Sequence, residues 1–444
     1  MERKPGQASD FRYDTGATKV PWAAVGESLN AQDVLRVIRF LVGPEAPDDA
    51  AYDKRLERVG RALEALFAAG RPASKLTLGH RVEQLEAWAA DYLGAKYACF
   101  LTNATAGFEI GYNFAGLRPG DEVICPAITF IATIAYPLAI GAKVVFADVD
   151  PRTINMDPAD VARKITERTR VIIPVHIGGY PVDMQPIVDL ARPRGITVIE
   201  DAAHAFGATY RGRKVGTLGD FGAFSFHEVK NTTSLGEGGL LVTNLEAGAQ
   251  FPQARFVGID PSRQIADWLY DVVALPDLRG GWFAAGNHSA TEVQAVALLS
   301  QLERLDQIIA ARRQVAEYLN QRFSAIEGIV TPPLDTSDTT STHHLYLLQV
   351  DPYRAGGDIQ ALKQKLAARG VTQIPHFAPL YEFELLRRMG YSTEEGRRSC
   401  PKAEEAFRHR FTHLPLYGLT QGQVSYLADA VIEAVGEMRK ERVR

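Results

Sequence analysis

The sequence predicts an α/β protein with a mostly parallel β-sheet between helices. Short apolar runs rich in β-branched residues recur roughly 20–28 residues apart, and the intervals between them are long enough for helices. The runs are continuously apolar, as in strands that are covered on both faces. Ligands of such sheets collect at the carboxyl ends of the strands. The predicted strands span 122–126, 143–147, 171–175 and 196–200.

A region without recognisable chemistry precedes this alternation. The sequence predicts that residues 1–75 form an N-terminal extension, with helical stretches near 31–42 and 52–69. A further helix is predicted over 81–93, where one apolar face has helical spacing and consists of Val82, Leu85, Trp88, Ala89 and Tyr92. We therefore expect a large domain at 76–315 and a small C-terminal domain at 316–444.

The last part of the chain has the pattern of a second α/β unit. A strand is predicted over 344–350, a helix over 359–368 and a final helix over 421–438, whose start fits a capping box of Thr420 and Gln423. One long helix should connect this unit to the preceding domain. Its apolar stripe consists of Val293, Val296, Leu299, Leu302, Leu305 and Ile309.

Composition excludes several classes of protein. The 444 residues contain 49 Lys and Arg against 53 Asp and Glu, a net charge of −4, so binding to nucleic acid has no support. Three cysteines without a CxxC pair do not indicate a disulfide framework, and the ten histidines lack a metal-binding spacing such as HExxH. No apolar run reaches membrane-spanning length, and residues 1–16 lack the apolar region of a signal peptide. We expect a cytoplasmic protein that binds neither membrane nor metal.

The segment 198–244 contains the residues that indicate chemistry. One predicted strand ends in Glu200 and Asp201, and a later one leads into Ser225 and Lys230, followed by the glycine-rich sequence GEGG. A lysine just past a strand end can form a Schiff base. Each feature alone is ambiguous, because such an aspartate is often a helix cap, such a lysine is often solvated and such glycines often form a turn.

Taken together, these blocks resemble a known family. The strings EDAAHAFGA, GDFGAFSF and SFHEVKN, with GEGG after them, are similar to the pyridoxal-phosphate aminotransferases of the DegT/DnrJ/StrS type, which make amino sugars and aminocyclitols. The resemblance covers about residues 76–440. It implies the aspartate aminotransferase-like fold type I: a large domain with a mostly parallel seven-stranded sheet, a smaller C-terminal α/β domain, and a homodimer with shared active sites.

The resemblance also implies roles for residues of the central blocks. Lys230 occupies the position of the lysine that forms a Schiff base with pyridoxal phosphate. Asp201 matches the aspartate that pairs with the pyridine nitrogen and so keeps the ring able to accept electrons. His204 matches the residue near the phenolic oxygen, and Ser225 matches a phosphate ligand. Lys230, Asp201 and His204 are the expected catalytic residues.

Further cofactor and substrate contacts are implied outside those blocks. Thr105 and Ala106 lie where the family has a small-residue phosphate loop before a helix, and helix N-termini favour phosphate. Phe130 matches the aromatic residue that stacks on the pyridine ring. Asn287 matches an asparagine that reaches the cofactor phosphate of the neighbouring subunit, and His376 is a candidate substrate contact.

The implied reaction is a transamination in two halves. An amino acid, glutamate or glutamine, donates the amino group, and a keto sugar, often nucleotide-linked, or a keto cyclitol accepts it, with Lys230 moving the proton. Two alternatives stay open. One is a sugar dehydratase on the same scaffold, whose relatives have histidine in place of the lysine. The other is a catalytically silent regulatory subunit that binds sugar or cofactor. The sequence of the loop 176–184 can be interpreted equally well as a turn before a helix and as a substrate contact.

Overall fold

The structure is a computed structural model that describes residues 28–70, 73, 75–260, 271–372 and 377–443. The α-helices are α1 Ala31–Leu41, α2 Ala50–Ala69, α3 His80–Leu93, α4 Ala104–Phe114, α5 Ala132–Ala139, α6 Pro158–Lys164, α7 Met184–Ala191, α8 Phe251–Arg255, α9 Glu292–Leu302, α10 Leu305–Phe323, α11 Pro352–Ala355, α12 Ile359–Ala368, α13 Glu384–Arg388, α14 Thr393–Ser399, α15 Pro401–Glu405 and α16 Gln421–Val443. Among these described residues, no helix is long and apolar enough to cross a bilayer.

The strands are mostly short. They are β1 Tyr97–Leu101, β2 Glu122–Pro126, β3 Lys143–Ala147, β4 Thr169–Ile172, β5 Thr197–Asp201, β6 Thr209–Tyr210, β7 Arg213–Lys214, β8 Phe221–Ser225, β9 Gly239–Thr243, β10 Ile259–Asp260, β11 Asp271–Val272, β12 Leu275–Pro276, β13 Trp282–Phe283, β14 Ile329–Val330, β15 Tyr346–Val350 and β16 Phe411–Leu414. Of the predicted strands, β2 and β3 have the predicted bounds, and β4 and β5 lie within a few residues of theirs.

One compact unit comprises the described residues up to His80 together with residues 291–293. Its described part contains α1 and α2, which pack against each other. A capping box starts α1, because Asn30 accepts hydrogen bonds from the first turn while Asp33 accepts one from the Asn30 amide. Asp49 caps α2 by accepting hydrogen bonds from the amides of Ala51 and Tyr52. The two helices predicted in this region are confirmed.

The second compact unit contains a seven-stranded sheet with the order β1-β9-β8-β5-β4-β2-β3. Strands β8, β5, β4, β2 and β3 are mutually parallel. Strand β9 runs antiparallel to both of its neighbours, so it alone opposes the common direction of these seven strands. The predicted mostly parallel sheet is confirmed.

Helices cover both faces of this sheet because its strands bury alternate residues on opposite sides. On β1, Leu101 joins a core that contains α4 and α5, whereas Phe100 joins a core that contains α3, α7 and α9. Both side chains are fully buried. The result is the three-layered α/β arrangement, which places the carboxyl ends of β2, β4, β5 and β8 along one edge.

A smaller antiparallel sheet, β14-β15-β16, forms a separate core with α10, α12 and α16. The predicted capping box is present at the start of α16, where Thr420 and Gln423 exchange hydrogen bonds of 2.8 and 3.3 Å. The prediction that one long helix connects the two domains is wrong. The structure has two helices, α9 and α10, separated by a turn at residues 303–304 that lets Leu302 and Leu305 enter the same core.

Candidate active site

Strand β5 ends in two buried carboxylates that point to opposite faces of the sheet. Glu200 is fully buried and contacts His176 at 3.0 Å between Oε2 and Nε2. It also accepts backbone amide hydrogen bonds of 2.6–2.7 Å from Gly216, Leu218 and Gly219. Glu200 thus holds the turn before β8. Asp201 faces the opposite side.

Asp201 lies at the base of a cavity and has only 4% of its surface exposed. Its Oδ2 accepts a 2.8 Å hydrogen bond from Thr133 Oγ1, and its Oδ1 accepts one of 3.1 Å from the amide of Ala203. Burial raises the pKa of Asp201, while these donors and the amine of Lys230 oppose the shift. A carboxylate has about four acceptor positions, so Asp201 can accept further hydrogen bonds from a ligand.

Lys230 lines the same cavity, from the loop that follows β8. Its amide donates a 2.9 Å hydrogen bond to the carbonyl of His227, which closes a turn immediately after the strand. Burial lowers the pKa of Lys230 to about 8, and the carboxylate of Asp201 limits the decrease. About a tenth of this amine is therefore neutral at pH 7, far more than for an ordinary lysine, which suits a nucleophile or a base.

His204 also faces this cavity, and a backbone contact indicates its tautomer. The amide of Gly178 donates a 3.3 Å hydrogen bond to His204 Nδ1, so in the neutral ring the proton is on Nε2. The carbonyl of His204 accepts a 2.5 Å hydrogen bond from Thr342 Oγ1. The contact at Nδ1 thus orients the ring, the contact at the carbonyl holds the backbone of His204, and Nε2–H is a hydrogen-bond donor.

Hydroxyl groups and the start of α4 form another part of the cavity wall. Thr105 and Ser225 line the cavity, but Ala106 does not. Asn103 caps the helix by accepting a 2.9 Å hydrogen bond from the Ala106 amide, which removes that amide from the ligand contacts predicted for it. Glycine is required at Gly239, because a Cβ there would lie 2.1 Å from the backbone carbon of Asn103.

The cavity has a volume of about 360 Å³, within the usual range of ligand pockets. It brings together six of the residues predicted from the sequence: Thr105, Phe130, Asp201, His204, Ser225 and Lys230. The Phe130 side chain is 56% exposed, which is unusual for a phenylalanine and suits a ring that stacks on a ligand. A buried carboxylate, an amine of low pKa, hydroxyls beside a helix start and an open aromatic face fit pyridoxal phosphate.

Besides Ala106, Asn287 does not line this cavity. Asn287 is exposed, in a segment that forms a β-bridge with Phe256, and its Oδ1 accepts a 3.1 Å hydrogen bond from the amide of Ser289. Its predicted role toward a neighbouring subunit stays a prediction. His376 lies outside the described residues.

The sequence analysis gave no role to several residues of the site, among them Thr133, Phe377 and Glu237. Thr133 holds Asp201, while Phe377 and Glu237 line the cavity. Thr133 had a detectable signal, since it lies four residues after Thr129 in an otherwise apolar run, and the two hydroxyls are 2.9 Å apart. Phe377 approaches Phe130 and His204 from a distant part of the sequence, with ring centroids 5.7 and 6.4 Å away. No local pattern indicates such a contact.

A larger cavity of about 650 Å³ lies elsewhere in the same unit. Two of its basic side chains already have acidic partners, since Lys402 pairs with Asp157 at 2.8 Å and Arg211 with Asp183 at 3.8 Å. These charges are accounted for within the protein. The smaller cavity around Lys230 and Asp201 is therefore the candidate active site.

Comparison with known proteins agrees with this assignment. The profile of the DegT/DnrJ/EryC1/StrS aminotransferase family matches residues 61–432. The spore coat polysaccharide biosynthesis protein SpsC of Bacillus subtilis is 35% identical over 380 residues, covering 82% of this chain and 91% of that protein. GDP-perosamine synthase of Caulobacter vibrioides is 36% identical over 306 residues, covering 69% of this chain and 78% of the other.

Solved structures show the same relationship. The structure of the pyridoxal-phosphate form of Spr1654 from Streptococcus pneumoniae superposes on this chain with a TM-score of 0.72 at 26% sequence identity. The match covers 82% of this chain and 94% of that one. The fold is that of the pyridoxal-phosphate aminotransferases, and pyridoxal phosphate is the cofactor. The chain belongs to the DegT/DnrJ/EryC1/StrS aminotransferase family and is a pyridoxal-phosphate-dependent aminotransferase.

Proposed function

We propose that this enzyme moves an amino group from glutamate or glutamine to the keto group of a sugar, often nucleotide-linked, or of a cyclitol. The names of two relatives support this acceptor class, because one is a polysaccharide biosynthesis protein and the other makes a GDP-linked amino sugar. The single observation on which the proposal depends is that Lys230 and Asp201 face one largely buried cavity.

Lys230, Asp201 and His204 each have a task in this proposal. When bound, pyridoxal phosphate supplies an electron sink for the negative charge that develops at the substrate Cα. The neutral Nζ of Lys230 takes the Cα proton and later returns a proton, which its lowered pKa permits near neutral pH. Asp201 would hold the pyridine nitrogen, and the Nε2–H of His204 would donate to the phenolic oxygen.

The phosphate would be held by local hydrogen-bond donors. The described lining of the cavity contains no arginine. Thr105 and Ser225 supply hydroxyls, and the N-terminus of α4 supplies partial positive charge beside them. A chain with a net charge of −4 thus binds an anion through a few oriented donors rather than through a broad positive surface.

We further propose a homodimer in which each site uses residues of both chains. Support comes from exposed apolar side chains in the segments around Asn287, at Val257, Val272 and Trp282, which are 37%, 65% and 74% exposed. Val229, beside Lys230, is 61% exposed. Apolar surface of this kind is typical of a protein interface. Asn287 is exposed as well, so it could reach a neighbouring chain.

The domain limits and the location stay proposals. We keep an extension at 1–75, a large domain at 76–315 and a small domain at 316–444. Support for the extension is that the family profile begins only at residue 61. A cytoplasmic location is supported by the state of Cys99, Cys125 and Cys400, which are all buried free thiols.

The proposal is tested with Lys230→Ala and a matched control, Lys363→Ala. Lys363 is a lysine on α12 whose pKa is also lowered by burial, but it does not line the cavity. The wild type and the control should convert bound pyridoxal phosphate to pyridoxamine phosphate when glutamate or glutamine is added, and Lys230→Ala should not. The pyridoxamine form should then aminate a member of a panel of nucleotide-linked keto sugars, free keto sugars and keto cyclitols.

Two outcomes would contradict this function. No conversion of the cofactor by any amino acid, despite its binding, would favour the silent regulatory subunit. Loss of a hydroxyl from the sugar without gain of nitrogen would favour the dehydratase.

A further inference from the structure

The residue that follows the active-site lysine connects two distant parts of the chain. Asn231 Nδ2 donates a 2.9 Å hydrogen bond to the carbonyl of Thr342, and Asn231 Oδ1 lies 3.0 Å from His344 Nδ1. Thr342 and His344 belong to the segment that leads into β15. One side-chain amide therefore joins the lysine loop to this segment, here called the 342–345 segment.

The contacts of Asn231 determine which nitrogen of His344 is protonated. Because the Asn231 amide nitrogen faces a carbonyl, its oxygen faces His344, and His344 Nδ1 must be the donor. Burial lowers the pKa of His344 well below its usual value, and the nearby charge of Lys230 lowers it further. His344 is thus a neutral ring with its proton on Nδ1.

The same segment supports His204. The rings of His204 and His344 have centroids 4.4 Å apart, and Thr342 Oγ1 donates to the His204 carbonyl at 2.5 Å. The amide of Thr342 also donates a 3.2 Å hydrogen bond to the carbonyl of Gly179. A Cβ at Gly179 would lie 2.0 Å from Thr342 Oγ1, so this close approach requires glycine.

The backbone of the segment is strained at its centre. His343 has a φ of 48°, a value that residues other than glycine rarely adopt. Such conformations persist where the surroundings determine them, and they concentrate at functional sites. Here the neighbours on both sides, Thr342 and His344, are held by contacts with Asn231 and His204. The strain lowers local stability, so contacts with the rest of the protein must fix the position of this segment.

We propose that Asn231 is a positioning residue for the transamination. Through Thr342 and His344 it fixes the loop of Lys230 relative to His204, the two residues that face the cavity from different loops. The inference rests on the roles proposed above for Lys230 and His204. Asn231 does not line the cavity and has no direct contact with a ligand in this scheme.

The experiment compares Asn231→Ala and Asn231→Asp with a matched control, Asn320→Ala. Asn320 also bonds through both ends of its amide, to Tyr346 Oη at 2.7 Å and to the carbonyl of Pro332 at 3.4 Å, but away from the cavity. All variants are loaded with pyridoxal phosphate, and only folded, cofactor-bound protein is compared. The readouts are kcat, the KM of the amino donor, and the pH midpoint of the visible absorbance band of the cofactor.

We expect Asn231→Ala to lower kcat by about 100-fold, with KM changed by less than about threefold, because misplacing a reacting group by about 1 Å costs that much. Asn231→Asp keeps an acceptor for His344, loses the donor to the Thr342 carbonyl and places a negative charge near Lys230. It should retain more activity than Asn231→Ala and move the absorbance midpoint to higher pH. Asn320→Ala should leave kcat and the midpoint at their wild-type values.

A purely structural role predicts a different pattern. If Asn231→Ala keeps kcat within about threefold of wild type per folded, loaded chain, or if Asn231→Asp leaves the midpoint unchanged, the inference is wrong while the proposed function stands. If wild-type protein binds pyridoxal phosphate without forming the visible band, the role of Lys230 fails, and the inference fails with it.

Discussion

Thr133 Oγ1 donates a 2.8 Å hydrogen bond to Asp201 Oδ2, and both side chains are buried. Thr133 is on α5 and Asp201 ends β5, so the contact joins a helix on one face of the sheet to the catalytic edge. It is one of the interactions that oppose the effect of burial on the pKa of Asp201. The hydroxyl therefore helps to keep charge on a carboxylate that the cofactor needs in its charged form.

Replacing this hydroxyl gives the first prediction. Thr133→Val preserves the shape but removes a donor to a buried carboxylate, so the pKa of Asp201 should rise further. The free energy of unfolding should fall by about 1–2 kcal/mol, and kcat should fall with it. The control is Thr412→Val on β16, where the buried hydroxyl has no hydrogen-bond partner among the described residues. Urea unfolding should show the control to be as stable as wild type or more stable.

The amine of Lys230 gives the second prediction. In apo protein, its acylation rate, followed by peptide mass spectrometry, should have a midpoint near pH 8, because burial lowers its pKa to about 8. Asp201→Asn should move this midpoint to lower pH, since the carboxylate stabilises the ammonium form. A midpoint that stays with those of ordinary surface lysines, near pH 10.4, would contradict the burial of the amine.

The same pKa predicts a cost in stability. The folded-state pKa of Lys230 lies below the value of 10.5 for an unperturbed lysine, so folding is disfavoured while the amine is charged. Lys230→Met should therefore stabilise apo protein at pH 7 by about 1–3 kcal/mol, the lower values reflecting partial exposure of the side chain. The gain should shrink between pH 8 and pH 10.5, where the folded state loses its proton before the unfolded state does. Thermal unfolding across this pH range measures the effect, and a gain that grows with pH would contradict it.

The glycine at the start of β9 gives the fourth prediction. Gly239→Ala should push the Asn103 turn away from its position, because the new Cβ would lie 2.1 Å from the Asn103 carbonyl carbon. We expect a loss of about 1–3 kcal/mol in stability and a cofactor dissociation constant at least about tenfold higher. The control is Gly436→Ala inside α16, where a Cβ meets no atom within 4 Å and should stabilise the helix by about 0.5–1 kcal/mol. Equal cofactor affinity in the two variants would argue against a phosphate site at this turn.

Local patterns in the sequence were sufficient to predict strands β2, β3, β4, β5 and β8 and to find the blocks that contain Asp201 and Lys230, whereas β1 and β9 were not predicted. Strands β2 and β3 have their predicted bounds because continuous β-branched runs have few alternatives to a covered strand. Apolar periodicity was less informative about burial in α9, where Val296 belongs to the predicted apolar stripe but is 50% exposed. Periodicity reports that a face is apolar, and it cannot say whether that face meets its own core or another surface.

The supporting contacts of the site could not be predicted, because they join residues that are far apart in sequence. Thr342 and His204 are separated by 138 positions, and Asn231 and His344 by 113. The role of Ala106 was hard to predict for a different reason, because it depends on a local side-chain conformation. A helix start was expected just after residues 102–106, but α4 begins at Ala104, so Thr105 and Ala106 lie in its first turn. Which amide the cap occupies depends on the rotamer of Asn103, whose side chain accepts the hydrogen bond of the Ala106 amide.

The proposed shared active site gives the last prediction. Lys230→Ala and Asn287→Ala should each be nearly inactive, the first for lack of the base and the second for lack of a phosphate contact from the neighbouring chain. When the two variants are unfolded together and refolded, half of the random dimers are mixed, and each mixed dimer has one site with both residues intact. Activity should therefore recover to about a quarter of the wild-type value.

The control for this recovery is a mixture of Lys230→Ala with Asp201→Asn. Both residues line the cavity of the same chain, so every site in a mixed dimer still lacks one of them and no activity should return. Light scattering on each sample verifies that dimers have formed. If activity also returns in the control mixture, the recovery does not come from sharing residues between chains. If the mixture of Lys230→Ala and Asn287→Ala stays inactive, Asn287 does not contribute to the active site of the neighbouring chain. Recovery in the first mixture alone requires that Asn287 act across the interface, since no single chain in that sample has both residues.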